Sequence, residues 1–85
     1  MKELFRAYEE ARKANDEIEK AWEQDVENEE LEEQFDATYH AYIVAYTALV
    51  RGIVEFTKGA IDSMTAKRMI ATKNDELKAL VERLA

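Results

Sequence analysis

Eight carboxylates crowd one stretch of this chain: Glu23, Asp25, Glu27, Glu29, Glu30, Glu32, Glu33 and Asp36, with no Lys or Arg between residues 21 and 50. Acidic groups at this density can hold a divalent cation, dock a basic partner, or keep the end of a helical hairpin solvated. Asp25, Glu27 and Glu29 imitate the alternating ligands of a calcium loop, with Asp36 at the twelfth position. Glu30 stands where that loop needs a turn-forming glycine, and Asn28 onward reads as helix, which cannot wrap its carboxylates around one ion. Two readings survive: a solvated tip, or a docking surface for a basic protein, including mimicry of nucleic acid on a DNA- or RNA-binding protein.

Other candidate chemistry is thinner. Glu29-Glu30-x-x-Glu33 resembles the first half of the Mg²⁺-binding motif of all-helical nucleotide pyrophosphatases, but the second half, a Glu-x-x-Asp on a later helix, is missing. Asp36 and His40 lie four residues apart and could share a metal. A di-iron bundle, however, needs several inward carboxylates and two histidines, and His40 is the only one. Tyr8, Tyr39, Tyr42 and Tyr46 read as core aromatics rather than a ligand site. Among polar groups on inward stripes there are Asn15, suited to fixing helix register, and Lys73. The expectation is no catalytic residue, no metal and no cofactor, with the eight carboxylates as the candidate partner surface. A small helical-bundle enzyme, or a metal- or nucleotide-binding protein, is the alternative.

Composition narrows what can position these groups. Eighty-five residues suffice for one core, and the chain is read as a single helical domain. It has no Pro, no Cys and two Gly, which disfavours a sheet with many tight turns and removes disulfides, thiolate metal sites and thiol nucleophiles. No apolar run reaches the roughly 20 residues a membrane helix needs, and the start of the chain lacks a signal-peptide pattern. A soluble, cytoplasmic protein is expected. Charge is split: residues 1 to 36 carry 14 acidic and 5 basic side chains, a net of −9, and residues 37 to 85 carry 5 acidic and 7 basic, a net of +2. The chain has no uniformly basic face, so direct nucleic-acid binding is not expected.

Apolar residues at Leu4, Ala7, Tyr8, Ala11, Ala14, Ile18, Ala21 and Trp22 keep helical spacing and predict a first helix over about 2–24. Asn28 is a suitable N-cap for a second helix, followed by Glu29 and Glu30 at the positive end of its dipole. That helix is predicted over about 29–58, ending at Gly59 in the left-handed C′ position. Asp62 would cap a third helix over about 63–84, with Ile61 packing back on Ala66. The class is all-α: an antiparallel three-helix bundle with a long central helix.

Folding the first helix on the second sets Trp22 beside Leu31, Ile18 beside Phe35, Tyr8 beside Ala45 and Leu4 beside Leu49. Folding the third back sets Ile70 near Gly52, Leu77 near Ala45 and Leu84 near Thr38. Both neighbours would then cover residues 38–50. The stretch Ala37–Val50 has no Asp, Glu, Lys or Arg, as a central helix requires. Ala41, Ala45, Ala48 and Gly52 form a small-residue stripe for close helix approach, opposite a bulky stripe of Tyr39, Ile43, Tyr46, Val50 and Val54. Leu31, Phe35, Ile53, Val54 and Phe56, near its ends, are expected to be half covered, and a homodimer could finish their burial. Lys67, Arg68, Lys73, Lys78 and Arg83 would give the third helix a basic outer face.

The runs Ala21-Trp22-Glu23, Ile53-Val54-Glu55-Phe56-Thr57, Ile61-Asp62 and Thr65-Ala66-Lys67-Arg68-Met69-Ile70 resemble a group of short, uncharacterised helical proteins carried on mobile genetic elements of Gram-positive gut bacteria. The resemblance spans most of the chain and implies an accessory or interaction protein; it brings no activity, ligand or catalytic residue. The functional expectation is a non-enzymatic interaction module whose acidic hairpin tip meets a basic protein partner.

Overall fold

A computed structural model of the chain describes residues 1–72 and 74–84, and within them every regular element is a helix. The order is α1 (Lys2–Gln24), α2 (Glu29–Phe56), α3 (Ser63–Thr72) and α4 (Asn74–Arg83). The first boundary falls where the sequence places it. Asn28 caps α2, its Oδ1 accepting from the backbone amides of Glu30 at 3.0 Å and Leu31 at 3.2 Å, donors that otherwise lack an intrahelical partner. Its Nδ2 donates to Asp25 Oδ2 at 3.1 Å, tying the cap to the turn before it.

α2 ends two residues before the expected boundary, and the left-handed C′ position moves by one. Thr57 is the C-cap; Lys58 takes the left-handed C′ position with φ 55°, and Gly59 follows at φ 83°. The Gly59 amide donates to Val54 O at 2.9 Å and the Lys58 amide to Glu55 O at 3.1 Å, the two bonds of a Schellman motif. The Thr57 hydroxyl donates to Ile53 O at 2.7 Å and accepts from the Ile61 amide at 3.2 Å, so one side chain spans the reversal into α3. A β-carbon in the left-handed region costs roughly 1–2 kcal/mol, partly offset by the entropy a glycine would lose on folding. Lys58→Gly is therefore expected to raise stability by about 0.5–1 kcal/mol, read as a higher denaturation midpoint. A lower midpoint would contradict this account of the turn.

At the start of α3, Asp62 Oδ1 accepts from the Thr65 amide at 2.8 Å, as the sequence predicts. That bond and the Thr65 hydroxyl hold the Asp62 carboxyl below its ordinary range. Ile61 and Ala66 join the same apolar cluster.

Around residue 73 the described elements differ from the expected plan. Four helices, not three, are present among the described residues, because the segment expected as one helix over 63–84 is described as α3 and α4 on either side of residue 73. Lys73, counted on both the basic face and the inward stripe, lies outside the described residues. Leu77, Leu80 and Val81 of α4 join the cluster built on Leu49 and Ile53, against which Met1, Leu4 and Phe5 also pack. α4 thus lies at the core end of the α1–α2 hairpin. Leu84 packs on the core cluster, not beside Thr38.

The core is consequently gathered at one end. Tyr8, Leu49, Val50, Ile53, Ala66, Ile70, Leu77, Leu80 and Val81 form it, with Met1, Leu4 and Phe5 packed against it. At 1.5 Å per residue, α3 and α4 each reach about 15 Å against about 42 Å for α2, so they cannot cover its length. Shielding of residues 38–50 on two sides is therefore overturned: Tyr39 is 48%, Ile43 39% and Val44 55% exposed. Of the residues expected to be half covered, Leu31, Phe35 and Val54 are so, whereas Ile53 is fully buried and Phe56 is exposed.

Candidate interaction surface

The end of the α1–α2 hairpin remote from this core carries the acidic cluster. Its half of the hairpin is held by rings and one polar contact. Trp22 stacks on Phe35 with centroids 5.8 Å apart, and Phe35 on Tyr39 at 6.0 Å. The series continues from Tyr39 to Tyr42 at 6.3 Å, then to Tyr8 at 5.8 Å and Tyr46 at 6.2 Å. Trp22 reaches Phe35, one helical turn along α2 from Leu31, its expected neighbour. Between these layers Asn15 is buried, and its Oδ1 accepts from the Thr38 hydroxyl at 3.2 Å. Thr38 also lies 3.0 Å from Phe35 O, so its single proton is shared between two acceptors. The inward Asn15 expected from the sequence thus marks the register of α1 on α2.

Tyr42 has its phenol pushed above the ordinary value, chiefly by burial and then by the neighbouring Tyr8 hydroxyl. The Arg12 guanidinium sits 6.0 Å from the centre of the Tyr8 ring, one turn along α1. The sequence reading did not single out Arg12, although its spacing of four from Tyr8 was the available signal.

All eight predicted carboxylate residues, Glu23, Asp25, Glu27, Glu29, Glu30, Glu32, Glu33 and Asp36, are exposed. The structure brings them to one end of the molecule without converging them on one point: Glu23 closes α1, Asp25 and Glu27 lie in the turn, and the other five spread around the first turns of α2. Among the described residues no three His, Asp or Glu side chains are placed to share a metal ion. His40 is exposed on the same helix. Val26, 58% exposed at the tip of the turn, is an apolar group that charge patterning alone did not bring forward.

No protein-family model, curated protein or solved structure matches this chain. The surface therefore has to be read from its own geometry. Two grooves flank the hairpin. One, between α1 and α4, is lined by charges of both signs, including Arg6, Lys13, Glu17, Lys78 and Glu82, around Phe5 and Val81. The other lies over the tyrosines and is closed at one side by Ile70, Ala71 and Asn74. No helix among the described residues is long and apolar enough to cross a membrane.

Proposed function

We propose that this protein is a non-enzymatic interaction module, working in the cytoplasm, that presents the acidic tip of its α1–α2 hairpin to a basic protein partner. The observation that carries the reading is the placement of the core. Because α3 and α4 pack around residues 49–53, the opposite end is a bare two-helix hairpin with eight exposed carboxylates. No basic side chain between residues 21 and 50 neutralises them. A concentrated single-sign field on an uncovered end attracts an opposite charge and speeds encounter with it.

The test is affinity capture of partners from the native host at low and high salt, with a variant in which Glu23, Glu27 and Glu33 become Gln. Glu23 lies at the negative end of the α1 dipole and Glu27 in the turn, so the helices should tolerate their neutralisation. A basic partner retained by the wild type at about 0.1 M salt is expected to weaken at least about tenfold at about 0.5 M salt and in the triple variant. Binding indifferent to both changes would refute the tip as the docking surface.

A further inference from the structure

The exposed side of α2 has a charge order that the acidic tip does not explain. Along it run Glu29, Glu33 and Asp36, then His40, Ile43, Val44 and Thr47, then Arg51, with Lys58 just beyond the helix end; all are exposed. Successive positions of this set are three, four or seven residues apart, apart from the adjacent Ile43 and Val44, so they share one broad face of a helix. Glu29 and Lys58, Asp36 and Arg51, His40 and Thr47, and Ile43 and Val44 are each placed symmetrically about the point between residues 43 and 44. The face is negative at one end, apolar in the middle and positive at the other.

A second copy of this chain, laid antiparallel with its two-fold axis at that point, is complementary to such a face. We infer that the protein forms a homodimer through α2, in which Asp36 meets the partner's Arg51, Glu29 meets the partner's Lys58, and Ile43 and Val44 of both copies bury one another. A two-fold contact uses the same patch twice, and this patch is self-complementary only in the antiparallel sense. The parallel arrangement would set Glu29, Glu33 and Asp36 against their own copies. Tyr39, beside Ile43 on the helix surface, would lose exposure in the same contact. One position opposes the pairing: Glu55, the only acidic residue between residues 37 and 61, comes near the partner's Glu32 and Glu33. The dimer engages Glu29 and Asp36 of the acidic cluster and leaves Glu23, Asp25, Glu27 and Glu30 exposed at two opposite ends for a basic partner.

The chain contains no cysteine, which makes disulfide trapping a clean test. In the paired His40→Cys and Thr47→Cys variant, mild oxidation is expected to give a covalent dimer, since position 40 faces the partner's position 47. Each single variant should cross-link poorly; efficient cross-linking of Thr47→Cys alone would show a parallel contact and overturn the proposal. Sedimentation over a concentration series supplies the independent readout. Asp36→Arg and Arg51→Asp are each expected to weaken self-association at least about tenfold, and the two together to restore it to within about threefold, because reversal of both charges rebuilds the pair. Glu55→Lys should tighten it. A strict monomer at millimolar concentration, or charge reversals without effect on self-association, would overturn the dimer while leaving the tip's salt-dependent binding untouched.

Discussion

Leu77→Ala is expected to lower the stability of the dilute protein by about 3 kcal/mol, and Val44→Ala to change it by less than about 0.5 kcal/mol. Leu77 is fully buried in α4 against the cluster built on Leu49 and Ile53, so truncation removes apolar burial and leaves a cavity that fixed neighbours fill only in part. Val44 is 55% exposed, and its branched side chain carries a small helix-propensity penalty that Ala relieves. In a domain of this size the Leu77 loss corresponds to a fall in Tm of more than about 10 °C. The contrast is the informative part. A core spread evenly along residues 38–50, as the uncharged stretch of α2 suggests, would make Val44→Ala costly. A core gathered at residues 49–53 makes it nearly neutral. Equal losses at the two sites in chemical denaturation would argue for the even core and against the position of α4.

The first two helices were legible because their ends are written in local chemistry. Asn28 offers a side-chain acceptor where α2 has free amides, and Lys2–Gln24 keeps one apolar spacing throughout. The third segment keeps one stripe, Ala66, Met69, Ile70, Leu77, Leu80, Val81 and Leu84, through α3 and α4, so its periodicity does not say where along α2 it packs. Asn74-Asp75-Glu76 has the composition of a helix start. Because α4 packs into the cluster around Leu49 and Ile53, the apolar stretch of α2 lacks the cover it was expected to have. The shift of Gly59 from C′ to C″ has a similar origin, since glycine marks the end of a helix without saying which of two adjacent residues takes the first positive φ. The acidic tip was fully visible as charge. Its isolation from the core was not, because that depends on where α3 and α4 fold.

Gly52 gives the second large effect and probes how α1 meets α2. A β-carbon built there collides with Leu4 Cδ1 and lies 3.4 Å from Met1 Sδ, so the close approach expected along the small-residue stripe is made by α1 at this turn. Only the end of the Leu4 side chain stands in the way, and Leu4 is partly exposed, so Gly52→Ala needs a rotamer change rather than a backbone shift. The gain of about 1 kcal/mol in helix propensity then offsets much of the repacking cost, and the net change is expected to stay within about 1 kcal/mol of zero. Gly52→Leu has no such escape: its side chain claims the volume that Leu4 fills, and a loss of about 3 kcal/mol is expected. Removing the obstacle tests the mechanism directly. In Leu4→Ala with Gly52→Leu, the leucine moves from α1 to α2 while total apolar volume is nearly kept, and the pair should recover about 1–2 kcal/mol relative to the sum of the single losses. Additive losses in that cycle would mean that Gly52→Leu fails for a reason other than contact with Leu4, and the close approach of α1 at Gly52 would no longer account for a glycine inside α2.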